Sequence, residues 1–431
     1  MSKLTRRSFV KLTGGVAAVG LTASIGSPAI AGSHKHRVVV IGGGYGGAVA
    51  AKYIRMADSS IKVTLIEKNE HYYSCPLSNW VVAGFRDLEV QKWGYEGLKG
   101  HGVDVVHDTA TKIDAVAKKV TTASGKMFEY DQLVVSPGVG FRDLEGYDEA
   151  ASHAMPHAWK AGPQTTQLAK QLKAMKDGDP FIMVAPQNPF RCPPGPYERA
   201  SLVAHYLTKH KPKSKVLILD SKDKFSKFGL FTGGWKQLYG YGTENSKIEW
   251  VPGGEGGKVV RVDAKAMKVY TELDEFSSSC INVIPAQKAN HIAVAAGLTD
   301  DSGWCPVHLN TFESKLHKNV YVIGDSSAAA GLPKSGYAAN SEAKVCAAAV
   351  VAAIQGKPAP TPSYVNTCYS MLSPDYGISV AAVYKFDPAN PDKVQSVSGG
   401  LSPTEAPDFV RKQEALYNES WYQSIMADTF G

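Results

Sequence analysis

Three of the six cysteines stand in contexts that could do sulfur chemistry. Cys192 lies in Phe190-Arg191-Cys192-Pro193-Pro194-Gly195-Pro196-Tyr197-Glu198-Arg199, a proline-stiffened loop that opens a helix. Cys75 lies in His71-Tyr72-Tyr73-Ser74-Cys75-Pro76, just beyond the acid Glu67, and Cys368 lies in Asn366-Thr367-Cys368-Tyr369-Ser370. A thiol in such a place is either redox-active or a small buried hydrophobe, and spacing alone leaves both open. Cys280 at a strand start, Cys305 after Trp304 and Cys346 in an alanine-rich helix read as structural. Glu198 falls in the first turn of the helix after Cys192, where an acid serves proton transfer or merely the helix dipole. Trp159-Lys160 reads as an interdomain contact rather than a site. The chain has no C-x-x-C pair, which excludes a vicinal redox disulfide. It has no C-x-x-C-H, which excludes a c-type haem attached to this chain. Cys and His nowhere take metal-ligand spacing, and the scattered histidines form no triad with a serine.

The elements that must position these residues are legible around them. Arg37-Val-Val-Val-Ile41 is a strand, Gly42-Gly43-Gly44-Tyr45-Gly46-Gly47 a turn, Ala48–Met56 a helix, and Lys62–Glu67 a second strand ending in an acid. That order is the βαβ unit that binds a dinucleotide. Gly42 permits the turn, Gly44 lets backbone amides approach a pyrophosphate, and Gly47 lets helix and strand pack closely. The helix N-terminus favours the negative charge, and Glu67 would take hydrogen bonds from a ribose. Two later strand ends, Tyr130–Val135 running into Ser136-Pro137-Gly138 and Asn319–Ile323 running into Gly324-Asp325, favour FAD over NAD. Asp325 would hold the ribityl chain, and Val106 would bring backbone to the adenine. Lys334 is either a solvated turn residue or a cation beside the flavin.

A second αβ region contains the strands Asp179–Val184 and Lys215–Asp220. Its first strand is followed by Ala185-Pro186-Gln187-Asn188-Pro189, and proline cannot reproduce a glycine turn that offers amides. The fold without NAD binding is the expectation there. The expected fold class is α/β: two Rossmann-like dinucleotide-binding-type domains, the FAD domain discontinuous, plus a small C-terminal α+β domain. The expected division is a leader over 1–31, FAD-binding segments over 32–146 and 287–358, the second domain over 147–286, and a third unit over 359–431.

Net charge is +7, from 47 Lys and Arg against 40 Asp and Glu. Four of those cations (Lys3, Arg6, Arg7, Lys11) lie in the first 31 residues, which hold no acid, so the remainder stands at 43 against 40. Nucleic-acid binding thereby loses its compositional support. Thr5-Arg6-Arg7-Ser8-Phe9, the apolar stretch after it and Ala29-Ile30-Ala31 resemble a twin-arginine export signal that would be cut near Gly32. The expected compartment is the bacterial periplasm. No later run reaches the roughly 20 apolar residues of a membrane span.

The segments Tyr-Tyr-Ser-Cys75, Phe-Arg-Cys192-Pro-Pro-Gly-Pro-Tyr-Glu198-Arg, Gly324-Asp325, Pro333-Lys334-Ser335-Gly336-Tyr337 and Asn-Thr-Cys368-Tyr-Ser, with Trp421 in the aromatic tail, resemble a known family. It is the flavoprotein subunit of flavocytochrome c sulfide dehydrogenase, of glutathione-reductase-like fold. The resemblance implies a thioether from Cys75 to the 8α-methyl of FAD. It implies a Cys192–Cys368 disulfide over the flavin, with Glu198 moving protons beside it. Lys334, Ser335, Gly336, Tyr337 and Trp421 would line the flavin site. It also implies a c-type cytochrome subunit that carries the haem. Hydrosulfide would attack the disulfide, leaving a persulfide on one cysteine and a thiolate on the other. Three alternatives stand beside this: a sulfide:quinone reductase-like enzyme, an accessory flavoprotein of a sulfur-oxidation system, and a flavin electron carrier whose disulfide is structural. The tail over 406–431 has charges interspersed and no strong apolar stripe, which counts against a membrane-bound quinone reductase.

Overall fold

The β-branched run at His36–Ile41 becomes the middle strand of a five-stranded parallel sheet. The computed structural model describes residues 35–431, so the leader over 1–31 lies outside the described residues. The sheet order is Val320–Val322, Gln132–Val135, His36–Ile41, Ile61–Ile66, Asp104–Val106. Val38, Val39 and Val40 are buried because both faces of a parallel sheet are covered, which is why the strand reads as an unbroken apolar run. The helices Gly47–Ala57 and Gly336–Ile354 pack on each other, and the latter contains the alanine-rich stretch after Val345. The chain leaves this sheet after Gln132–Val135 and returns beside that strand at Val320–Val322, so the sheet is discontinuous in sequence.

The intervening chain builds a second, four-stranded parallel sheet, ordered Ile248–Val251, Val216–Asp220, Phe181–Ala185, Cys280–Val283. Asp220 stands at the end of its second strand, as Glu67 does in the first sheet. Here the carboxylate is fully buried and already holds Tyr197 Oη at 2.6 Å, Trp250 Nε1 at 3.0 Å and Lys222 Nζ at 2.6 Å. Glu67 remains partly exposed.

The last segment forms an antiparallel sheet of Ser363–Ser373, Tyr376–Lys385 and Gln395–Leu401, followed by the 23-residue helix Asp408–Phe430. That helix has no purely apolar stripe, yet its inner face recurs at helical spacing: Arg411, Ala415, Asn418, Tyr422, Met426 and Thr429 are buried. Polar residues on the covered face hide the period from a reading based on hydrophobicity. Among the described residues no helix is long and apolar enough to cross a membrane.

Candidate active site

The C-terminal ends of the first sheet's strands converge on one crevice, where open α/β sheets bind ligands. Gly42 has φ +93°, and a Cβ there would lie 2.3 Å from the Ser136 carbonyl oxygen. At Gly47 a Cβ would lie 1.8 Å from the Gly42 carbonyl oxygen, so both turns admit only glycine. Glu67 accepts the Gly43 N–H at 2.8 Å and the Asn69 N–H at 2.9 Å, which binds the second strand end to the turn. Val106 closes the far edge, its carbonyl taking the Glu67 N–H at 3.0 Å. On the other side Asn290 Nδ2 donates to the Pro137 carbonyl at 3.1 Å, and Ser326 Oγ donates to the Gly138 carbonyl. Those two bonds bring the Ser136–Gly138 turn to the Gly324-Asp325 segment.

Lys334 is not a solvated turn residue. Its ammonium donates to the carbonyls of Asp325 (2.9 Å) and Ser327 (2.6 Å) and lies 3.9 Å from the Trp304 ring centroid. Its own carbonyl accepts the Cys192 N–H at 2.7 Å, so the proline loop is tied to the flank of this crevice. Ser335 caps the following helix by accepting the Ala338 N–H and donates to Asn366 Oδ1 at 2.6 Å. Gly336 lies against the Tyr45 ring. Tyr337 stacks on Trp421 at 6.1 Å between centroids, and Trp421 Nε1 is buried without a partner.

These ties bring Cys75, Cys192 and Cys368 into one neighbourhood. Cys192 has φ +56°, and its Sγ lies 2.9 Å from where a Cβ on Gly195 would stand, beside the Trp159 ring. Cys368 turns its Sγ to Asn366 Oδ1 at 3.7 Å. Cys75 Sγ takes the Ala161 N–H at 3.5 Å and lies 3.9 Å from the Trp159 carbonyl oxygen. All three are half-buried free thiols, so the Cys192–Cys368 bond that the resemblance implies is not formed here. Here the Cys192 sulfur lies beside Gly195 and Trp159, and the Cys368 sulfur beside Asn366. The two are close enough that charge on Cys368 disfavours charge on Cys192, and burial pushes both thiols up.

One polar network spans the segments behind them. Arg199 is fully buried and donates to Asn79 Oδ1 (2.9 Å), Asn282 Oδ1 (2.9 Å), and the carbonyls of His157 (3.0 Å) and Ala158 (2.7 Å). Asn79 in turn donates to Glu198 Oε2 at 2.7 Å, and the Met371 N–H donates to Glu198 Oε1 at 2.9 Å. Burial raises the Glu198 carboxyl, opposed by those two hydrogen bonds and by Lys227 and Arg199. Arg191 lies 3.7 Å from Asp325. The cations Arg191, Arg199 and Lys227 thus lie in this neighbourhood with Glu198 and Asp325. His157 falls to about 3, chiefly through burial, and stays neutral at physiological pH.

Trp159, expected only as an interdomain contact, stands against both the Cys192 loop and Cys75. Asn79 and Lys227 join the site without having been expected, and Arg191 and Arg199 turn from motif residues into its cations. Arg191 and Arg199 flank Cys192 and Glu198 in one short motif, so the signal for them was present. Asn79 and Lys227 carry no motif; only the fold brings them here.

Glu342, buried behind Lys334 and accepting the Gly324 N–H at 2.7 Å, is raised to about 8, first by burial. The folded chain thus holds this proton more tightly than the unfolded chain, whose carboxyl titrates near 4.5. Its contribution to stability is complete below that value and is lost as pH rises to about 8. Glu342→Gln is expected to flatten this slope. Relative to the variant, wild type should lose a few kcal/mol between pH 5 and 8, at about 1.4 kcal/mol for each pH unit between the two titration points. Denaturant unfolding at both pH values measures it; parallel losses in the two proteins would reject the assignment.

A discontinuous parallel sheet with a glycine turn and a second parallel sheet built from the intervening chain define the fold of an FAD-dependent oxidoreductase. Residues 36–173 match the pyridine nucleotide-disulphide oxidoreductase model. Residues 165–285 match the central domain of the sulfide dehydrogenase (flavocytochrome c) flavoprotein chain, and 360–430 match the flavin-binding domain of flavocytochrome c sulphide dehydrogenase. Over 45 residues the chain is 58% identical to the sulfide dehydrogenase flavoprotein chain of Chlorobaculum thiosulfatiphilum, covering 10% of this chain and 94% of that sequence. It is 25% identical over 395 residues to the sulfide-quinone reductase of Aquifex aeolicus, covering 84% and 86%. The solved sulfide:quinone oxidoreductase of Aquifex aeolicus shares the fold, with TM-score 0.70, 21% identity and 92% of each chain covered. The chain belongs to the family of flavocytochrome c sulfide dehydrogenase flavoprotein chains, FAD oxidoreductases that oxidise sulfide.

Proposed function

We propose that this chain oxidises hydrosulfide to zero-valent sulfur or polysulfide in the periplasm and passes electrons singly to a c-type cytochrome subunit carrying the haem. The observation that carries the reading is the meeting of Cys192 and Cys368, from separate segments, among Arg191, Arg199 and Lys227. Such a pocket favours anions, and hydrosulfide, thiolate and persulfide are all anionic sulfur species. The twin-arginine leader and the absence of a haem motif in this chain support the compartment and the partner.

The residues present fit FAD. The Gly42, Gly44 and Gly47 turn offers backbone to a pyrophosphate, Glu67 has lone pairs left for a ribose, and Trp421 Nε1 is a buried donor awaiting an acceptor beside Tyr337. Val106 would back the adenine, Asp325 would hold the ribityl chain beside the Ser136, Pro137 and Gly138 turn, and Lys334, Ser335, Gly336, Tyr337 and Trp421 would line the ring. Cys75 would supply the thioether. When bound, FAD supplies an acceptor that takes an electron pair and releases electrons one at a time.

The chain's own residues do the rest. In the oxidised protein Cys192 and Cys368 form a disulfide. Hydrosulfide attacks one sulfur, a new S–S bond forms as the old one breaks, and the pair becomes a persulfide and a thiolate. Glu198, whose carboxyl burial raises, stands beside the pair, where it is placed to exchange a proton with the sulfur that changes charge.

Acid denaturation followed by mass measurement should give the chain plus one FAD, and Cys75→Ala should lose that increment while keeping the yellow colour before denaturation. Anaerobic titration with sulfide should bleach the flavin, and added cytochrome c should restore it faster than a quinone analogue. Preferential turnover with the quinone would reassign the acceptor, and an unbleached flavin would end the sulfide reading.

A further inference from the structure

Lys227 lies outside every motif, yet its placement is costly. It stands before the helix Phe228–Tyr239 with φ +60°, a conformation rare outside glycine, and is only 7% exposed. Among the described residues its three N–H donors have one hydrogen-bond partner, Ser370 Oγ at 2.9 Å, and no carboxylate lies within ion-pair reach. A buried ammonium whose carboxylates, Glu198 and Glu414, act on it only from beyond contact is unfavourable unless an anion appears beside it.

The strand Ser363–Ser373 identifies that anion. Side chains two apart on a strand share a face, so Asn366, Cys368 and Ser370 point the same way. Lys227 grips Ser370, Asn366 touches the Cys368 sulfur, and Lys227 therefore stands beside Cys368. The other cations near the thiols already have partners: Arg191 is tied to Asp325 and the Trp159 carbonyl, and Arg199 to the asparagine network. Just before Lys227, the residues Lys222, Lys224, Phe225 and Ser226 line a cavity of about 300 Å³ with Asn188, Phe190 and Pro193, the neighbour of Cys192.

We propose that Lys227 is a positioning residue, the counter-ion for the sulfur anion that forms on the Cys368 branch when the disulfide opens. This deepens the sulfide reading and rests on it. Attack on Cys192 displaces Cys368 as a thiolate; attack on Cys368 displaces Cys192 as a thiolate, which takes the hydrosulfide proton and leaves the Cys368 persulfide as the anion. The Cys368 branch is negative either way, and electrons and protons balance without another reactant. The groups facing this anion are Lys227, Cys192, Glu198, Asn366 and Ser335, with Tyr384 from the strand Tyr376–Lys385, while Glu414 from the helix Asp408–Phe430 acts on Lys227.

The test is the pH profile of iodoacetamide labelling at Cys368 in the reduced, flavin-loaded full chain, read by peptide mass mapping. Lys227→Gln keeps a donor for Ser370 and removes the charge. It should raise the Cys368 midpoint by about one pH unit, a tenfold loss of thiolate at neutral pH, and move Cys192 less. Lys227→Arg should restore the wild-type profile and remains informative should the glutamine variant not fold. An unchanged Cys368 midpoint in Lys227→Gln, an equal rise at Cys192, or an arginine variant titrating about one pH unit above wild type would overturn the proposal. Labelling needs no sulfide, so its outcome is separate from the flavin-bleaching test.

Discussion

Changing Cys192 to serine slows sulfide-dependent flavin reduction by on the order of a thousandfold or more, because a serine oxygen cannot form the S–S bond that accepts hydrosulfide. Cys368→Ser has the same effect, and the double variant is no worse than either single one, since the two sulfurs act as one unit. The flavin itself stays bound: the turn at Gly42–Gly47 and the segments at Ser136 and Gly324 do not use either thiol. Stopped-flow bleaching under anaerobic sulfide measures the loss. Retention of a tenth of the wild-type rate in either variant would make the pair a structural feature and return the flavin-carrier alternative to first place.

Arg199→Ala costs about 3–5 kcal/mol of folding stability. Asn79 Oδ1, Asn282 Oδ1 and the Ala158 carbonyl lose donors inside the protein, where water does not replace them. Each orphaned acceptor is worth about 1–3 kcal/mol. The guanidinium also lies 5.0 Å from the Trp159 ring centroid, a contact that goes with it. Arg199→Lys recovers less than half, because one ammonium cannot reach four oxygens spread over three segments. Equilibrium denaturation of the flavin-loaded chain measures both. A loss under about 1 kcal/mol for the alanine variant would show that the network bridging Ser78–Val82, Gly195–His210 and Cys280–Val283 is not what holds these segments together.

How much of this is readable in advance depends on whether the physical constraint is local. The strand–turn–helix–strand at 36–67 is readable because parallel-sheet burial and glycine-only turns leave marks in consecutive residues. The helix Asp408–Phe430 is not, because Arg411, Glu414 and Asn418 sit on its covered face and the first two are satisfied by tertiary partners, the Pro403 carbonyl and Ser402. Lys334 is ambiguous for a similar reason: nothing beside it in sequence says that the carbonyls of Asp325 and Ser327 and the Trp304 ring will surround its charge.

By itself the amino-acid order determined the α/β class, the flavin-binding turn and the identity of three cysteines worth watching, since each is written in short-range spacing or residue type. The resemblance pairs Cys192 and Cys368, 176 positions apart, but the tertiary structure alone decided how they are brought together, which cations face them, and which way their sulfurs turn. Those facts come from strand order and from hydrogen bonds such as Cys192 N–H to Lys334 and Lys227 to Ser370. Distance through space between remote segments is a property of the packed chain and leaves no trace in its local pattern.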